Sequence, residues 1–261
     1  PGIDLSMLIN ILPLIFLSSI RVGAFIMSAP LFGMYGIPLQ VRIIMSFVLG
    51  LGVINYSGLP HADLLNNSNY ILIILTEIAV GLTAGFIVTI IFSSVALAGE
   101  KIATSAGLGY AAQIDPIAGG QTPVVSQTLN LFLLVLFISL DAHLIMLRIF
   151  LESFIILPIG ANPPFDILIG SGIKAAGSMF IAASLIMLPV TGTILMINIA
   201  AGIMTKSAPQ LNLFSFVFPV TMLSCFIIFY FSTGAMSLAF SDLIFSSIDS
   251  MEMMLMELTS G

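Results

Sequence analysis

The sequence has no tryptophan, a single cysteine and very little charge: 6 Lys plus Arg and 12 Asp plus Glu in 261 residues. At 7 % the charged fraction is far below the roughly 25 % of a soluble domain. The mean hydropathy of +1.21 points the same way. A soluble globular domain is excluded, as are disordered, collagen-like and disulfide-scaffold chains. What remains is a polytopic membrane protein, or a subunit covered on most sides by other apolar subunits.

Cations are scattered singly, at Arg21, Arg42, Lys101, Arg148, Lys174 and Lys206. With no basic patch to neutralise phosphates, nucleic-acid binding is excluded. Cys225 has no partner for a disulfide and no companions for a thiolate metal site, so it reads as a small apolar packing residue. Catalytic constellations are missing too. There is no His-Glu-x-x-His, no phosphate-cradling Gly-rich loop ending in Lys-Ser and no Gly-x-Ser-x-Gly, and Gly107-Leu108-Gly109 is followed by Tyr110, not Asp. No enzymatic activity and no cofactor are expected. At the N-terminus, Asp4 stands where a signal peptide has its basic region, so Leu5–Ile20 is read as part of a retained helix.

What is present is apolar length. A membrane helix needs about 20 apolar residues. Six segments qualify as apolar helices: Met7–Ser28, Val41–Tyr56, Tyr70–Ala98, Val124–Leu157, Lys174–Met204 and Leu213–Leu238. Counted as six spans, they put Arg42, Lys101 and Lys206 on one side and Arg148 and Lys174 on the other, a weak bias under the positive-inside rule. Gly81-x-x-x-Gly85 is a pattern for close helix packing.

Ile102–Ser126 breaks the pattern, with Gly107, Gly109, Gly119, Gly120, Pro116 and Pro123 and a single charge, Asp115. Such a stretch does not continue a helix. It also lacks the charge of a solvated loop, and irregular backbone at membrane depth survives only where protein buries it or where it lines a wet cavity. The alternatives are a loop lining or plugging a pathway, and an ordinary loop packed by small residues. Downstream, Asp141, Arg148 and Glu152 fall on one helical stripe, and Arg148–Glu152 reads as a structural i, i+4 ion pair. The tail Met251-Glu-Met-Met-Leu-Met reads either as an amphipathic helix for a protein groove or as a frayed end.

The order and spacing of further motifs carry a resemblance. Arg21, Ala29-Pro30-Leu31-Phe32-Gly33, Ile37-Pro38 and Val41-Arg42 come first. Ala98-Gly99-Glu100-Lys101-Ile102, Gly107-Leu108-Gly109-Tyr110-Ala111, Asp115-Pro116 and Pro123-Val124 follow. Leu136-Phe137, His143-Leu144, Ser153-Phe154, Leu157-Pro158-Ile159-Gly160, Ala208-Pro209-Gln210-Leu211-Asn212 and Phe218-Pro219 complete the set. The chain resembles the FliR/SctT family of type III secretion export-gate subunits.

The resemblance implies an all-α fold with broken helices and re-entrant-like loops. It joins a FliP-like half, about 1–165, to a FliQ-like half, about 166–261, in one membrane domain. It implies one copy in a helical channel with FliP and FliQ, further contacts with FlhB and FlhA, and passage of unfolded export substrates. The location implied is the bacterial inner membrane and flagellar basal body, in contact with lipid, with the subunit held largely above the bilayer plane. Gly107, Gly109, Tyr110, Asp115, Pro116, Gly119 and Gly120 match the family's channel-closing loop, with Tyr110 where the family usually has Phe. Lys101 departs from the aliphatic residue often found there. Two other readings stand beside this one: an injectisome export-gate subunit, and a stand-alone small-solute transporter.

Overall fold

The computed structural model describes residues 5–33, 37–57, 70–108, 124–161, 163–207 and 213–260. Among them are seven helices and no strand: α1 (Leu5–Ser28), α2 (Leu39–Ser57), α3 (Tyr70–Ser105), α4 (Val124–Ser139), α5 (Ala142–Ile156), α6 (Phe165–Ser207) and α7 (Leu213–Ser260). The all-α expectation holds. Six continuous spans do not: four helices are long and apolar enough to cross a membrane, five if α4 and α5 count as one broken span, and α2 is a shorter apolar helix. The side assignment of the cations, which rested on six spans, falls with that number.

Two differences have local causes. The run 124–157 contains no Gly or Pro, yet the helix breaks where Asp141 adopts a left-handed conformation, φ 53°. Asp is among the few non-glycine residues that tolerate this region. The last segment continues as helix from Leu238 to Ser260, because Ile248, Met251, Met254, Leu255 and Leu258 turn one face inward and are all buried. The methionine-rich tail is therefore an amphipathic helix whose groove is supplied by its own chain.

The chain forms two compact units. The first comprises Pro1–Ile90, Asp141–Ala176 and Phe245–Gly261. Here α1 and α3 cross at small residues. A Cβ on Gly81 would collide with the Arg21 carbonyl and stand 2.9 Å from the Ala24 Cβ; one on Gly85 would collide with the Ser28 hydroxyl and stand 2.9 Å from the Ala29 nitrogen. Thr89 Oγ1 donates to the Ser28 carbonyl at the same crossing. On the other side of α1, Ser18 Oγ donates to the Gly50 carbonyl of α2 at 3.2 Å. Phe25 of α1 stacks on Phe150 of α5 with ring centroids 3.9 Å apart. Ser247 Oγ of α7 reaches the Ile87 carbonyl of α3 at 3.5 Å.

The second unit comprises Ile91–Leu140 and Gly177–Ile244. Its α3–α4 contact is again a glycine contact, with a Cβ on Gly99 only 2.5 Å from the Ser126 Cα. Ser126 Oγ donates to the Ala96 carbonyl at 3.0 Å. Phe137 meets Phe92 edge-on, and Phe132 packs on Phe240 of α7. Cys225 is buried, as a packing residue should be.

Long stretches of α6 and α7 have no such cover. Only 22 % of the apolar window of α6 and 11 % of that of α7 is buried. At 43 and 48 residues the two helices run about 64 and 72 Å along their axes, against about 30 Å of bilayer hydrocarbon.

Glycine substitutions should separate crowded from open positions. Gly81→Ala and Gly85→Ala are expected to destabilise by about 1–3 kcal/mol, because backbone atoms would have to move. Gly177→Ala has nothing within 4 Å of the new Cβ and should be neutral or gain up to about 1 kcal/mol of helix propensity. Thermal melts of the detergent-solubilised protein check both.

Candidate functional site

In the first unit, three helices meet at a charge. Arg21 lies late in α1 and Glu77 two turns into α3, each inside an otherwise apolar run, and both are buried. An unpaired charge in such surroundings is costly, so each must find its opposite. Arg21 Nε donates to Glu77 Oε2 at 2.5 Å and Nη2 donates to Oε1 at 3.2 Å, a two-pronged pair.

The remaining donors reach the end of α5. Arg21 Nη1 donates to the Ser153 carbonyl at 3.3 Å and to the Leu157 carbonyl at 2.9 Å. These carbonyls lie at a helix C-terminus, where the dipole favours a cation; the Ser153 carbonyl also accepts from the Leu157 N–H at 2.8 Å. The Gly160 N–H donates back to Glu77 Oε1 at 3.3 Å, from a residue at φ 85° that suits glycine. The Phe154 ring covers the guanidinium, 4.3 Å from Cζ to its centroid. One ion pair thus fastens α1, α3, the end of α5 and the turn after it.

A second feature lies in the other unit, where α3 ends. Gly107 takes φ 83°, the Leu108 N–H donates to the Ala103 carbonyl at 2.9 Å and the Gly107 N–H to the Thr104 carbonyl at 3.1 Å. This is a Schellman cap, and it stops the helix at a defined point. Thr221 Oγ1 of α7 donates to the Ala106 carbonyl at 3.1 Å, tying this end of α3 to α7.

Of the residues read as a channel-closing loop, Gly107 is in this cap. Gly109, Tyr110, Asp115, Pro116, Gly119 and Gly120 lie outside the described residues. Arg148 Nε meets Glu152 Oε1 at 2.8 Å on α5, with side chains 79 % and 37 % exposed. Asp141, on the same stripe, sits at the helix break. The buried pair went unread in the sequence. Its signal was there: Glu77 is the single charge in the apolar run 70–99 of α3, which marks a residue with a partner. Among the described residues no group of His, Cys, Asp or Glu could hold a metal ion.

The family described as "Bacterial export proteins, family 1" matches residues 12–247. The chain belongs to this family.

Relatives of this export protein include the flagellar biosynthetic protein FliR of Pectobacterium carotovorum subsp. carotovorum, 32 % identical over 215 residues, 82 % of each chain. FliR of Bacillus subtilis (strain 168) is 30 % identical over 227 residues, 84 % of this chain and 86 % of the relative. FliR of Escherichia coli (strain K12) is 29 % identical over 212 residues, 81 % of this chain and 80 % of the relative. The resemblance read from the motifs is the relationship found. Several of those motifs, Arg21, Ser153-Phe154 and Leu157–Gly160, are scattered in sequence and meet at the buried pair.

Breaking the buried pair should be far costlier than breaking the exposed one. Arg21→Ala or Glu77→Ala is expected to cost about 3–5 kcal/mol and sharply lower the protein's abundance in membranes. Arg148→Ala or Glu152→Ala should cost no more than about 1 kcal/mol of the chain's own stability. Quantitative immunoblots of membrane fractions check the order.

Proposed function

We propose that this chain is a core subunit of the flagellar type III protein export gate. With FliP and FliQ it forms the channel through which unfolded flagellar proteins leave the cytoplasm, in the inner membrane at the flagellar basal body, with FlhB and FlhA alongside. The observation that carries this reading is the export-family match over residues 12–247, with FliR proteins among the relatives. The exposed faces of α6 and α7 supply the physical motive. Apolar helices longer than a bilayer is thick need protein cover along their length, and partner subunits provide it. In this reading residues of about 1–165 form a FliP-like half and about 166–261 a FliQ-like half, and the subunit sits largely above the bilayer plane.

The segment from Gly107 to Pro123 closes the lumen at rest, with Tyr110 as its sealing ring. A channel wide enough for a polypeptide leaks ions unless an apolar constriction excludes water. The cap at Gly107 and the Thr221 bond support a loop with a fixed point of departure. The gate needs no nucleotide site of its own, because energy for export comes from its partners.

Co-expression tests the assignment. The chain should aggregate or elute broadly when solubilised alone, and form a defined larger complex when co-expressed with its FliP- and FliQ-like partners. A sharp monomer peak without partners contradicts the reading. For the loop, Tyr110→Ala is expected to leave assembly intact and raise ion conductance per assembled complex. Normal assembly with unchanged conductance removes Tyr110 from the seal.

A further inference from the structure

The buried pair leaves two polar groups without protein partners. Ser153 is fully buried on α5, its carbonyl bonded to Arg21 and its neighbour Phe154 stacked over the guanidinium. Its Oγ has no hydrogen-bond partner. That is exceptional in this protein. Every other buried serine or threonine among the described residues donates its hydroxyl to a backbone carbonyl, from Ser18 and Ser19 in α1 to Thr221 in α7. Most use their own helix, three or four residues back, and Ser153 forms no such bond although the same outlet is open to a helical serine.

The second group belongs to Arg21. A guanidinium has five N–H donors. Four are spent on Glu77 Oε2, Glu77 Oε1 and the carbonyls of Ser153 and Leu157. One Nη2–H remains. The Glu77 carboxylate accepts from Nε, Nη2 and the Gly160 N–H, which leaves one of its roughly four acceptor positions. A spare donor, a spare acceptor and a hydroxyl able to play either part are therefore gathered in one buried cluster, joined by the bond from Arg21 to the Ser153 carbonyl.

We propose that this site binds a single ordered water. It accepts the remaining Nη2–H of Arg21, hydrogen-bonds Ser153 Oγ and donates its other proton to the Glu77 carboxylate. Three partners are the usual number for a buried water. The arrangement also explains why the Ser153 hydroxyl is turned from its own helix: the water bonds to a charged network, where hydrogen bonds are stronger than between neutral groups. The clamp on α5 is then hydrated at its centre, although no side chain there reaches bulk solvent.

Hydroxyl-radical footprinting by brief X-ray irradiation of the full chain, in native membranes with its partners, tests this directly. A bound water activated in place oxidises the side chains beside it. Phe154 is expected to be labelled several-fold faster than the buried Phe137 and Phe240, which lie in the other unit. Labelling of Phe154 no faster than of those two overturns the proposal. Ser153→Ala gives an independent sign. It should lower the thermal midpoint and return Phe154 to the control rate if the hydroxyl holds a water. A raised midpoint, as expected from deleting a dry unsatisfied hydroxyl, overturns the proposal. The unsubstituted protein decides by itself, so a variant that fails to accumulate does not spoil the test.

Discussion

The architecture of the first unit follows from the cost of burying Arg21 and Glu77. Neither charge can face hydrocarbon, and neither can be buried unpaired without a penalty comparable to the stability of a small domain. They pair side-on only where α1 and α3 run close together, and Gly81 and Gly85 permit that approach. Charge and small residues are therefore one device: the glycines bring the backbones together, and the ion pair sets where along the helices they meet. The donors left over are directed at the C-terminal carbonyls of α5. A third element is oriented by the same guanidinium.

This arrangement differs from an exposed i, i+4 pair in what it specifies. Arg148 and Glu152 lie on one helix and 2.8 Å apart, and their pairing says nothing about any other element. Arg21 and Glu77 are 56 residues apart in sequence, and their pairing defines a contact between helices. Phe25, Phe150 and Phe154 pack around it, so the polar centre and the aromatic core of this unit are continuous.

Much of the helical layout was legible in the sequence, because long apolar runs with almost no charge have few alternatives to a helix. The end of α3 was legible only in part: the helix runs past Ala98 and into the stretch from Ile102, as far as Ser105, before Gly107 caps it. Three things were not. The break at Asp141 is a backbone choice that an apolar run hides, since Asp is tolerated but not required at positive φ. The methionine-rich tail was ambiguous because its apolar stripe needs a surface, and that surface is formed by residues distant in sequence. The ion pair was missed for the same reason, since spacing within one helix cannot reveal a partner on another. The family resemblance rested on residues dispersed along the chain, and folding brings several of them to one place.

The exposed apolar faces of α6 and α7 link the fold to its proposed role, in which partner subunits cover them. Photo-crosslinking in native membranes measures this most directly, with a photoreactive amino acid placed at Met196 on α6 and at Phe231 on α7, 70 % and 80 % exposed in the isolated chain. The gate account expects discrete protein adducts at both positions, containing the FliP- or FliQ-like partner. Adducts confined to lipid at both positions would contradict it.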